Sequence, residues 1–382
     1  MSRMNAFGLA ILLMFSLSCE SVILGPEAAP PLPTLHQSAL ATLLDSLRYA
    51  LDLPALAGAI VTDTGIVDAQ AVGCRRYGGA ANVTINDCFQ LGSCTKSFTA
   101  VLLGTLVDEG RVTWTTTLPE IFPEYASSMR SEFRNVSVRD LLSHSAGFMR
   151  DPNLTLHTKT PMEQRVEVVA WAVTQPPAQT RGRYLYSNLG YVIAGAIAEK
   201  LTGLTYEELI MERVIGPLGL TTAGVGQMGT PGLEDQPLQH TPDHGAIMPT
   251  ADAHLPDIYN PAGILHMSVG DWGKYVQWVL ACEAGHATLL RPETAKAITT
   301  PVVSTGYGSS YALGWGVGPA QEWCGSKSLQ HSGSNGYNYC TAALAPGRHY
   351  GVIVMSNQGA VGNDSPTLPA INRLITFHLS GH

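Results

Sequence analysis

Charged residues are scarce in this sequence, and basic residues do not cluster along it. Only 14% of the 382 residues are Asp, Glu, Lys or Arg, and the formal net charge is -8 at pH 7. Proteins that bind nucleic acids present clustered Lys and Arg to the phosphates, so we expect no nucleic acid partner. Hydrophobic residues, in contrast, make up 45% of the chain. Over this length they can build a large core in one large domain or two.

The spacing of cysteines typical of structural zinc sites is also missing. No two of the seven cysteines form a Cys-x-x-Cys pair. One stretch gathers metal-type side chains, namely His240, Asp243, His244 and His254. Pro237 and Pro242 exclude a regular helix there, so this spacing carries little information. We therefore predict no metal ion and no other cofactor.

The N-terminus has an apolar stretch, Phe7 to Leu17, that is too short to span a bilayer as a lone helix. It follows Arg3, which predicts an export signal over residues 1–19. Ser16 to Cys19 resembles a bacterial lipoprotein cleavage box with Cys19 as the lipidated residue, although Ser16 stands where leucine is usual. Plain cleavage and secretion is the alternative. Residues 20–36 are predicted to be a tether.

We therefore expect an exported protein, which is a periplasmic or outer-membrane-anchored lipoprotein or is secreted. Its contact with a membrane would be only through a lipid at Cys19. An exported protein can hold disulfides. Cys74 with Cys88, and Cys324 with Cys340, are near enough in sequence to bracket hairpin-like segments. Connectivity does not follow from sequence, so these pairs are hypotheses.

The rest of the chain is organised around one predicted helix start. Ser93 and Lys96 form the only Ser-x-x-Lys, and Phe98, Val101 and Leu102 follow at helical spacing. Residues three apart share one helix face, so we expect the lysine amine beside the serine hydroxyl. A lysine in a dry pocket can take the proton that makes serine a nucleophile. The alternative is an N-cap serine followed by an ordinary surface lysine.

Strand-like stretches lie at both ends of the chain, with helical stretches between them. The residue pattern predicts helices over Gln37–Leu51, Val138–His144, Met162–Thr174, Asn188–Leu201, Thr205–Val214, Ser268–Leu280 and Ser365–Leu379. It predicts strands over Ala57–Val61, Ile66–Val72, Ala312–Val317, Asn338–Leu344 and Tyr350–Met355. Gly224 to Ala262 has no clear period and predicts a long loop. The order predicts an α/β domain (37–115 and 263–382) with an inserted all-helical domain (116–262).

Two further clusters carry candidate functional groups. Tyr186 and Asn188 flank one residue before a predicted buried helix, where a phenol relays protons and a carboxamide holds a substrate amide. The alternative is a helix-capping asparagine with a core tyrosine. The second cluster, His331-Ser332-Gly333-Ser334, precedes a strand-like run. A glycine on an edge strand lets a ligand or another backbone approach closely. A glycine-rich hairpin turn is the alternative there.

In this order, the three clusters resemble the signatures of the serine penicillin-recognising family. The closest branch contains class C β-lactamases, D-alanyl-D-alanine carboxypeptidases and related esterases. Its Ser-x-x-Lys, Tyr-x-Asn and Lys- or His-x-Gly motifs stand here at Ser93–Lys96, Tyr186–Asn188 and His331–Gly333. Asp140–Phe148 and Pro217–Leu220 are also similar. The resemblance spans about Gln37 to Leu379 and implies a β-lactamase/transpeptidase-like fold, an antiparallel sheet flanked by helices.

The resemblance also implies roles for the first two motifs. Ser93 is then the nucleophile, and Lys96 and Tyr186 share the proton transfers as a pair, because the identity of the base is disputed even in better-studied relatives. A nearby lysine would lower the pKa of the phenol, and Asn188 would orient the substrate amide. Cys94, inside the first motif, is expected to pack into the core.

The third motif departs from that of many β-lactamases, which carry lysine where His331 stands. A histidine there is a weaker, pH-dependent cation, and it can hydrogen-bond to Tyr186 through Ser332 or water. His-x-Gly occurs in peptidases and esterases of the family and weakens the case for an efficient β-lactamase. The resemblance further implies an oxyanion hole made by the N–H groups of Ser93 and Ser334. His331, Ser332, Gly333 and Ser334 are the predicted substrate-binding residues, together with Asn188.

These implications describe an exported serine hydrolase that forms an acyl-enzyme with amide or ester substrates. Its substrate would be a D-alanyl peptide, an ester or a β-lactam, and deacylation would reuse Tyr186 and Lys96 on water. The alternative is a non-hydrolysing penicillin-binding or sensory module that is acylated and barely turns over. The intact Ser93, Lys96, Tyr186 and Asn188 argue against a scaffold that lost its chemistry.

Overall fold

A long antiparallel sheet with helices on both sides is the main feature of the computed structural model, which describes residues 38–157, 160–250, 255–360 and 365–381. In this part of the chain the strands are β1 (Ala55–Thr62), β2 (Ile66–Gly73), β3 (Cys88–Gln90), β4 (Gly224–Val225), β5 (Gln239–His240), β6 (Ala246–Ile247), β7 (Leu265–Ser268), β8 (Val303–Ser304), β9 (Ser310–Tyr311), β10 (Gly316–Gly318), β11 (Ser328–Ser334), β12 (Tyr339–Ala345) and β13 (Tyr350–Ser356). The helices are α1 (Ala39–Ala50), α2 (Thr95–Asp108), α3 (Leu118–Ile121), α4 (Val138–Leu142), α5 (Pro161–Ala172), α6 (Asn188–Thr202), α7 (Tyr206–Ile210), α8 (Asn260–Gly263), α9 (Val269–Glu283), α10 (Pro292–Thr299) and α11 (Leu368–Leu379).

The main sheet has the strand order β2-β1-β13-β12-β11-β10-β9-β8, and β3-β7-β4 forms a second, smaller sheet. Side chains of β1 alternate between two cores, as strand geometry requires. Leu56 and Ile60 pack with α1 and α11. Ala57 and Val61 belong to the larger core, which includes residues of α2, α6 and α9. The predicted fold class, an antiparallel sheet flanked by helices, is confirmed.

Most predicted elements are present within a few residues of their expected bounds. The N-terminal hairpin is β1 and β2, paired antiparallel. The apolar stretch before Gly203 is α6, whose residues from Leu189 to Glu199 are all buried. The predicted helix after Thr205 begins as α7 with the expected capping box, but it continues as a π-helix over Met211–Ile215.

Two predicted segments differ from the structure. Ala312–Val317 is not one strand, because the chain turns between β9 and β10. At the turn, Gly314 adopts a φ of +83° where a Cβ would lie 2.6 Å from the Cα of Ser97. The supposed loop from Gly224 to Ala262 contains β4, β5, β6 and α8. These elements are two to four residues long, too short to show a hydrophobic period.

The hypothetical disulfides do not form. The six cysteines of the described residues are free thiols. The thiol of Cys340 donates to the carbonyl of Gln90. The predicted export signal, Cys19 and tether lie outside the described residues, as does His254. No helix among the described residues is long and apolar enough to cross a bilayer.

The described residues belong to one compact unit that runs from residue 38 to the C-terminus. The predicted division into an α/β domain and an inserted helical domain, with boundaries at 116 and 262, stays a prediction.

Candidate active site

Ser93 lies in a 3-10 turn that leads directly into α2. The turn covers Gly92–Cys94, and α2 begins at Thr95, as the sequence predicts. Ser93 is half-exposed, whereas Lys96, one turn along, is fully buried. The Nζ of Lys96 lies 3.0 Å from the Oγ of Ser93, within hydrogen-bonding distance.

Three neutral oxygen atoms surround the amine of Lys96. Besides the hydroxyl of Ser93, they are the side-chain carbonyl of Asn188 at 2.8 Å and the backbone carbonyl of Ala262 at 2.6 Å. They can accept all three N–H bonds of an ammonium, but none carries a charge that offsets burial. Burial therefore lowers the pKa of Lys96 to about 7. Near neutral pH, a large share of the molecules has a free amine beside Ser93.

The carbonyl of Ala262 belongs to a segment held by buried charges. Arg165 of α5 pairs with Glu199 of α6 at 2.6 Å and with Glu207 of α7 at 3.0 Å. Glu207 in turn accepts a hydrogen bond from the side chain of Asn260, two residues before Ala262. Arg165 and Glu199 are fully buried. This cluster thereby fixes the start of α8 behind the amine of Lys96.

Pro261, the neighbour of Ala262, is wedged between two helices. It packs on α6 at Gly195, where a Cβ would lie 2.3 Å from the Cγ of Pro261. On the other side, the hydroxyl of Thr99 on α2 donates to the carbonyl of Pro261 at 2.7 Å. The direction of the Ala262 carbonyl therefore depends on close packing as well as on the ionic cluster.

Tyr186 precedes α6, and its hydroxyl is hydrogen-bonded to Ser93. The centroid of its ring lies 4.9 Å from the Nζ of Lys96. Desolvation raises the pKa of Tyr186, and the hydrogen bond with Ser93 only partly opposes it, so the expectation of a lowered pKa is wrong. At neutral pH Tyr186 is a neutral phenol that can donate or relay a proton. Lys96 is the better proton acceptor of the two.

Asn188 is the first residue of α6, which Ser187 caps by accepting a hydrogen bond from the N–H of Gly190. Because its carbonyl accepts from Lys96, the amide nitrogen is free to donate to the carboxylate of Asp151, at 2.8 Å. Asn188 thus joins the buried amine to a half-buried carboxylate. The sequence pattern did not single out Asp151.

Strand β11 runs directly against the turn of Ser93. A Cβ on Gly333 would lie 1.9 Å from the carbonyl oxygen of Leu91 and 2.6 Å from the nitrogen of Ser93. A Cβ on Gly92 would lie 2.2 Å from the nitrogen of Ser334. Strand β10 covers β11 only up to Gln330, which leaves residues 331–334 facing the turn. The backbone nitrogens of Ser93 and Ser334 therefore lie in one tight backbone junction, although β11 is not the edge strand we expected.

His331 is not the pH-dependent cation expected from the sequence. It is buried, and burial lowers its pKa to about 3, with a smaller effect from the charge of Lys96. Its Nδ1 lies 2.7 Å from the carbonyl of Ser332, and its Nε2 lies 2.8 Å from the hydroxyl of Tyr311. Its partner is thus Tyr311, where we expected Tyr186. The hydroxyl of Ser332 is 3.1 Å from that of Thr341 on β12.

An aromatic cluster that the sequence did not reveal supports the site. The ring of His144 lies 4.3 Å from the ring of Tyr186 and 4.6 Å from the ring of Tyr311, measured between centroids. His144 accepts a hydrogen bond from the N–H of Ser187. Burial lowers its pKa well below the usual value, so it is neutral. The sequence contains one indication of a role for His144, namely its place in the Asp140–Phe148 stretch that resembles the family. It contains no indication of a role for Tyr311.

Cys94 packs in the core, as expected. It is 3% exposed, its thiol lies 3.5 Å from the carbonyl of His331, and burial raises its pKa. Among the residues that the structure describes, no three His, Cys, Asp or Glu side chains are grouped to hold a metal ion. The prediction that the site uses no metal stays a prediction.

Comparisons with known proteins identify the family of this chain. The family model described as Beta-lactamase matches residues 40–375. Penicillin-binding protein 4 of Amycolatopsis lactamdurans is 26% identical, over 82% of this chain and 84% of that protein. The unguisins hydrolase ungD' of Aspergillus campestris (strain IBT 28561) is 24% identical, over 76% of this chain and 57% of its own length.

A solved structure shows the same fold. The D-alanine carboxypeptidase AmpC from Burkholderia cenocepacia has a TM-score of 0.71 at 17% identity, covering 88% of this chain and 97% of that one. At this level of identity the likeness concerns the fold alone. The family model, in contrast, matches residues 40–375, which is most of the chain. The chain belongs to the beta-lactamase family of serine hydrolases.

Proposed function

We propose that the protein is an exported hydrolase that forms an acyl-enzyme at Ser93 with amide or ester substrates. The observation that carries the proposal is the 3.0 Å contact between the hydroxyl of Ser93 and the amine of Lys96. Burial places the pKa of that lysine at about 7. A general base is most effective when its pKa is near the working pH, and this one is within reach of the proton it must accept.

Acylation follows from the arrangement of five residues. The free amine of Lys96 takes the proton of Ser93 as the serine oxygen bonds to the substrate carbonyl carbon. The carbonyl electron pair moves to oxygen, and the N–H groups of Ser93 and Ser334 stabilise the oxyanion. When the bond to the leaving group breaks, Tyr186 gives that group a proton and recovers one from Lys96. Asn188 orients the substrate amide.

Deacylation uses the same groups in the reverse direction. A water molecule attacks the acyl carbon and passes a proton through Tyr186 to Lys96, and the serine oxygen recovers a proton as the acyl group leaves. The candidate substrates are D-alanyl peptides, esters and β-lactams. The name of the penicillin-binding relative supports the third of these.

Export is part of the proposal and rests on the sequence of residues 1–36. Mass spectrometry of the mature N-terminus tests it directly. A lipid mass on Cys19 supports a lipoprotein, and an unmodified N-terminus between residues 19 and 37 supports plain secretion. An intact Met1 in the mature protein overturns export.

Labelling with two acylating probes tests the nucleophile. A fluorescent penicillin and a fluorophosphonate are incubated with the wild type and with Ser93→Ala. Ser128→Ala is the matched control, because Ser128 is an exposed serine that bonds only the carbonyl of Tyr125. We expect label on the wild type and on the control, and none on Ser93→Ala. Label that persists in Ser93→Ala overturns the assignment.

The same probes separate the candidate substrates. Penicillin label that is lost quickly indicates β-lactam hydrolysis, and stable penicillin label indicates a peptidase. Label by the fluorophosphonate alone indicates an esterase. A stable penicilloyl form with no turnover of any D-alanyl peptide or ester would point to the non-hydrolysing sensor and overturn the hydrolase.

A further inference from the structure

The third motif of this chain brings no positive charge to the substrate. The buried imidazole of His331 is neutral, and both of its nitrogens are engaged within the protein. The hydroxyl of Ser332 is engaged by Thr341. A substrate whose leaving group carries a carboxylate therefore needs a cation from another part of the site.

An exposed cation lies on the Tyr186 side of the site. The guanidinium carbon of Arg150 is 5.8 Å from the centroid of the Tyr186 ring, and 72% of the Arg150 side chain is exposed. The backbone of Arg150 is fixed, because its carbonyl accepts a hydrogen bond from the N–H of Leu189 on α6. Arg150 is thereby anchored to the helix that carries Asn188.

The guanidinium has donors to spare for a ligand. Within the described residues its ionic contact is Asp151, at 3.4 Å. The other carboxylate oxygen of Asp151 accepts from Asn188. A guanidinium has five N–H donors in a planar fork, so one side can face Asp151 while another binds a second carboxylate bidentately.

We propose that Arg150 binds the carboxylate of the substrate's leaving group, taking the place of a cation in the third motif. The inference rests on the proposed function, in which Tyr186 protonates the leaving group. In a C-terminal amino acid, and equally in a bicyclic β-lactam, the carboxylate is attached to the carbon next to the leaving nitrogen. A cation beside Tyr186 therefore meets that carboxylate. The substrate class is peptides with a free C-terminal residue, or β-lactams, and not neutral esters.

A pair of substrates that differ only in this charge tests the proposal. Turnover of an N-acylated D-alanyl-D-alanine peptide and of its C-terminal carboxamide is measured for the wild type, Arg150→Ala and Arg150→Lys. Arg139→Ala is the matched control, because Arg139 is an exposed arginine on α4 that lines a cavity with Glu293 and Lys296, and Ser93 does not line that cavity.

We expect Arg150→Ala to raise KM for the free carboxylate about 10- to 100-fold, the usual range for a lost charge-assisted hydrogen bond. KM for the carboxamide should change less than about twofold, and Arg139→Ala should change neither. Arg150→Lys should recover part of the loss. Salt should raise KM for the carboxylate in the wild type but not in Arg150→Ala.

Equal losses on both substrates in Arg150→Ala would overturn the role of Arg150 and leave the acyl-enzyme proposal standing. Absence of Ser93-dependent turnover or labelling in the wild type would instead overturn the proposed function itself. A wild type that prefers the carboxamide over the free carboxylate would also overturn the inference, because no cation would then be contributing to binding.

Discussion

Replacing Lys96 with methionine should make the stability of the protein less dependent on pH. In the folded protein the pKa of Lys96 is about 7, against the 10.5 that is usual for a lysine in water. Between these two values the unfolded chain binds the proton and the folded protein does not. The free energy of unfolding therefore rises with pH across this window, and burial of the lysine costs most at and below pH 7.

The size of the effect follows from the two pKa values. Between pH 6 and pH 9, the linkage relation gives this single group a contribution of roughly 3 kcal/mol to the free energy of unfolding. Lys96→Met lacks that contribution. It also loses the hydrogen bonds to Asn188 and Ala262, at a cost of about 1–3 kcal/mol that does not depend on pH. Comparing two pH values removes this constant cost.

Urea unfolding of the wild type and Lys96→Met at pH 6 and pH 9 measures the difference. We expect the gain in stability from pH 6 to pH 9 to be about 3 kcal/mol larger in the wild type. Lys200→Met is the control, because Lys200 is an exposed lysine paired with Glu124. The acylation rate of the wild type should rise about tenfold per pH unit below 7 and level off above it. Identical pH dependence in wild type and Lys96→Met, or an acylation rate that is flat from pH 5 to 9, would refute the argument.

Four other substitutions test the surroundings of Lys96. Asn188→Asp places a carboxylate on the amine and should raise the lysine pKa, so the acidic limb of the rate profile should move to higher pH; an unmoved limb would contradict this. Gly333→Ala should cost at least about 100-fold in acylation by either probe, because its Cβ has no room beside the Ser93 turn. Gly195→Ala should displace Ala262, so that the ammonium of Lys96 loses an acceptor and the acidic limb moves to lower pH. Gly270→Ala is the control: its added Cβ would have no neighbouring atom closer than 3.9 Å, so the acidic limb should not move. Cys94→Ala should retain penicillin labelling, and loss of label without unfolding would give the thiol a chemical role.

The parts of the fold that the sequence predicts well are those with a long, regular residue pattern. The amphipathic α1, the apolar α6 and the alternating β1 each bury one set of positions against a neighbour, so the period is visible in the sequence. The short strands between Gly224 and Ala262 pair through the backbone over two residues at a time, which leaves no period to detect.

In the active site, the sequence likewise predicts which residues take part but not their chemical state. Ser93, Lys96, Tyr186 and Asn188 can be identified because two of the three motifs fix their spacing along the chain. The protonation states of these groups cannot be predicted from the motifs, because they depend on what surrounds each group in space. Burial, which a sequence motif does not record, makes His331 neutral and raises the pKa of Tyr186.

Among the described residues, two buried cations differ in their surroundings, and the difference shows why one of them can accept and release a proton. Arg165 and Lys96 are both fully buried. Burial opposes the charge of Arg165, but its hydrogen bonds and ion pairs with Glu199 and Glu207 outweigh burial and raise its pKa. The hydrogen-bond acceptors of Lys96 are neutral oxygens. The carboxylate in its network, Asp151, is linked to it through the amide of Asn188. At the same depth of burial, Arg165 therefore stays charged, whereas Lys96 can lose its proton near neutral pH. The amine that can lose its proton is the one beside Ser93.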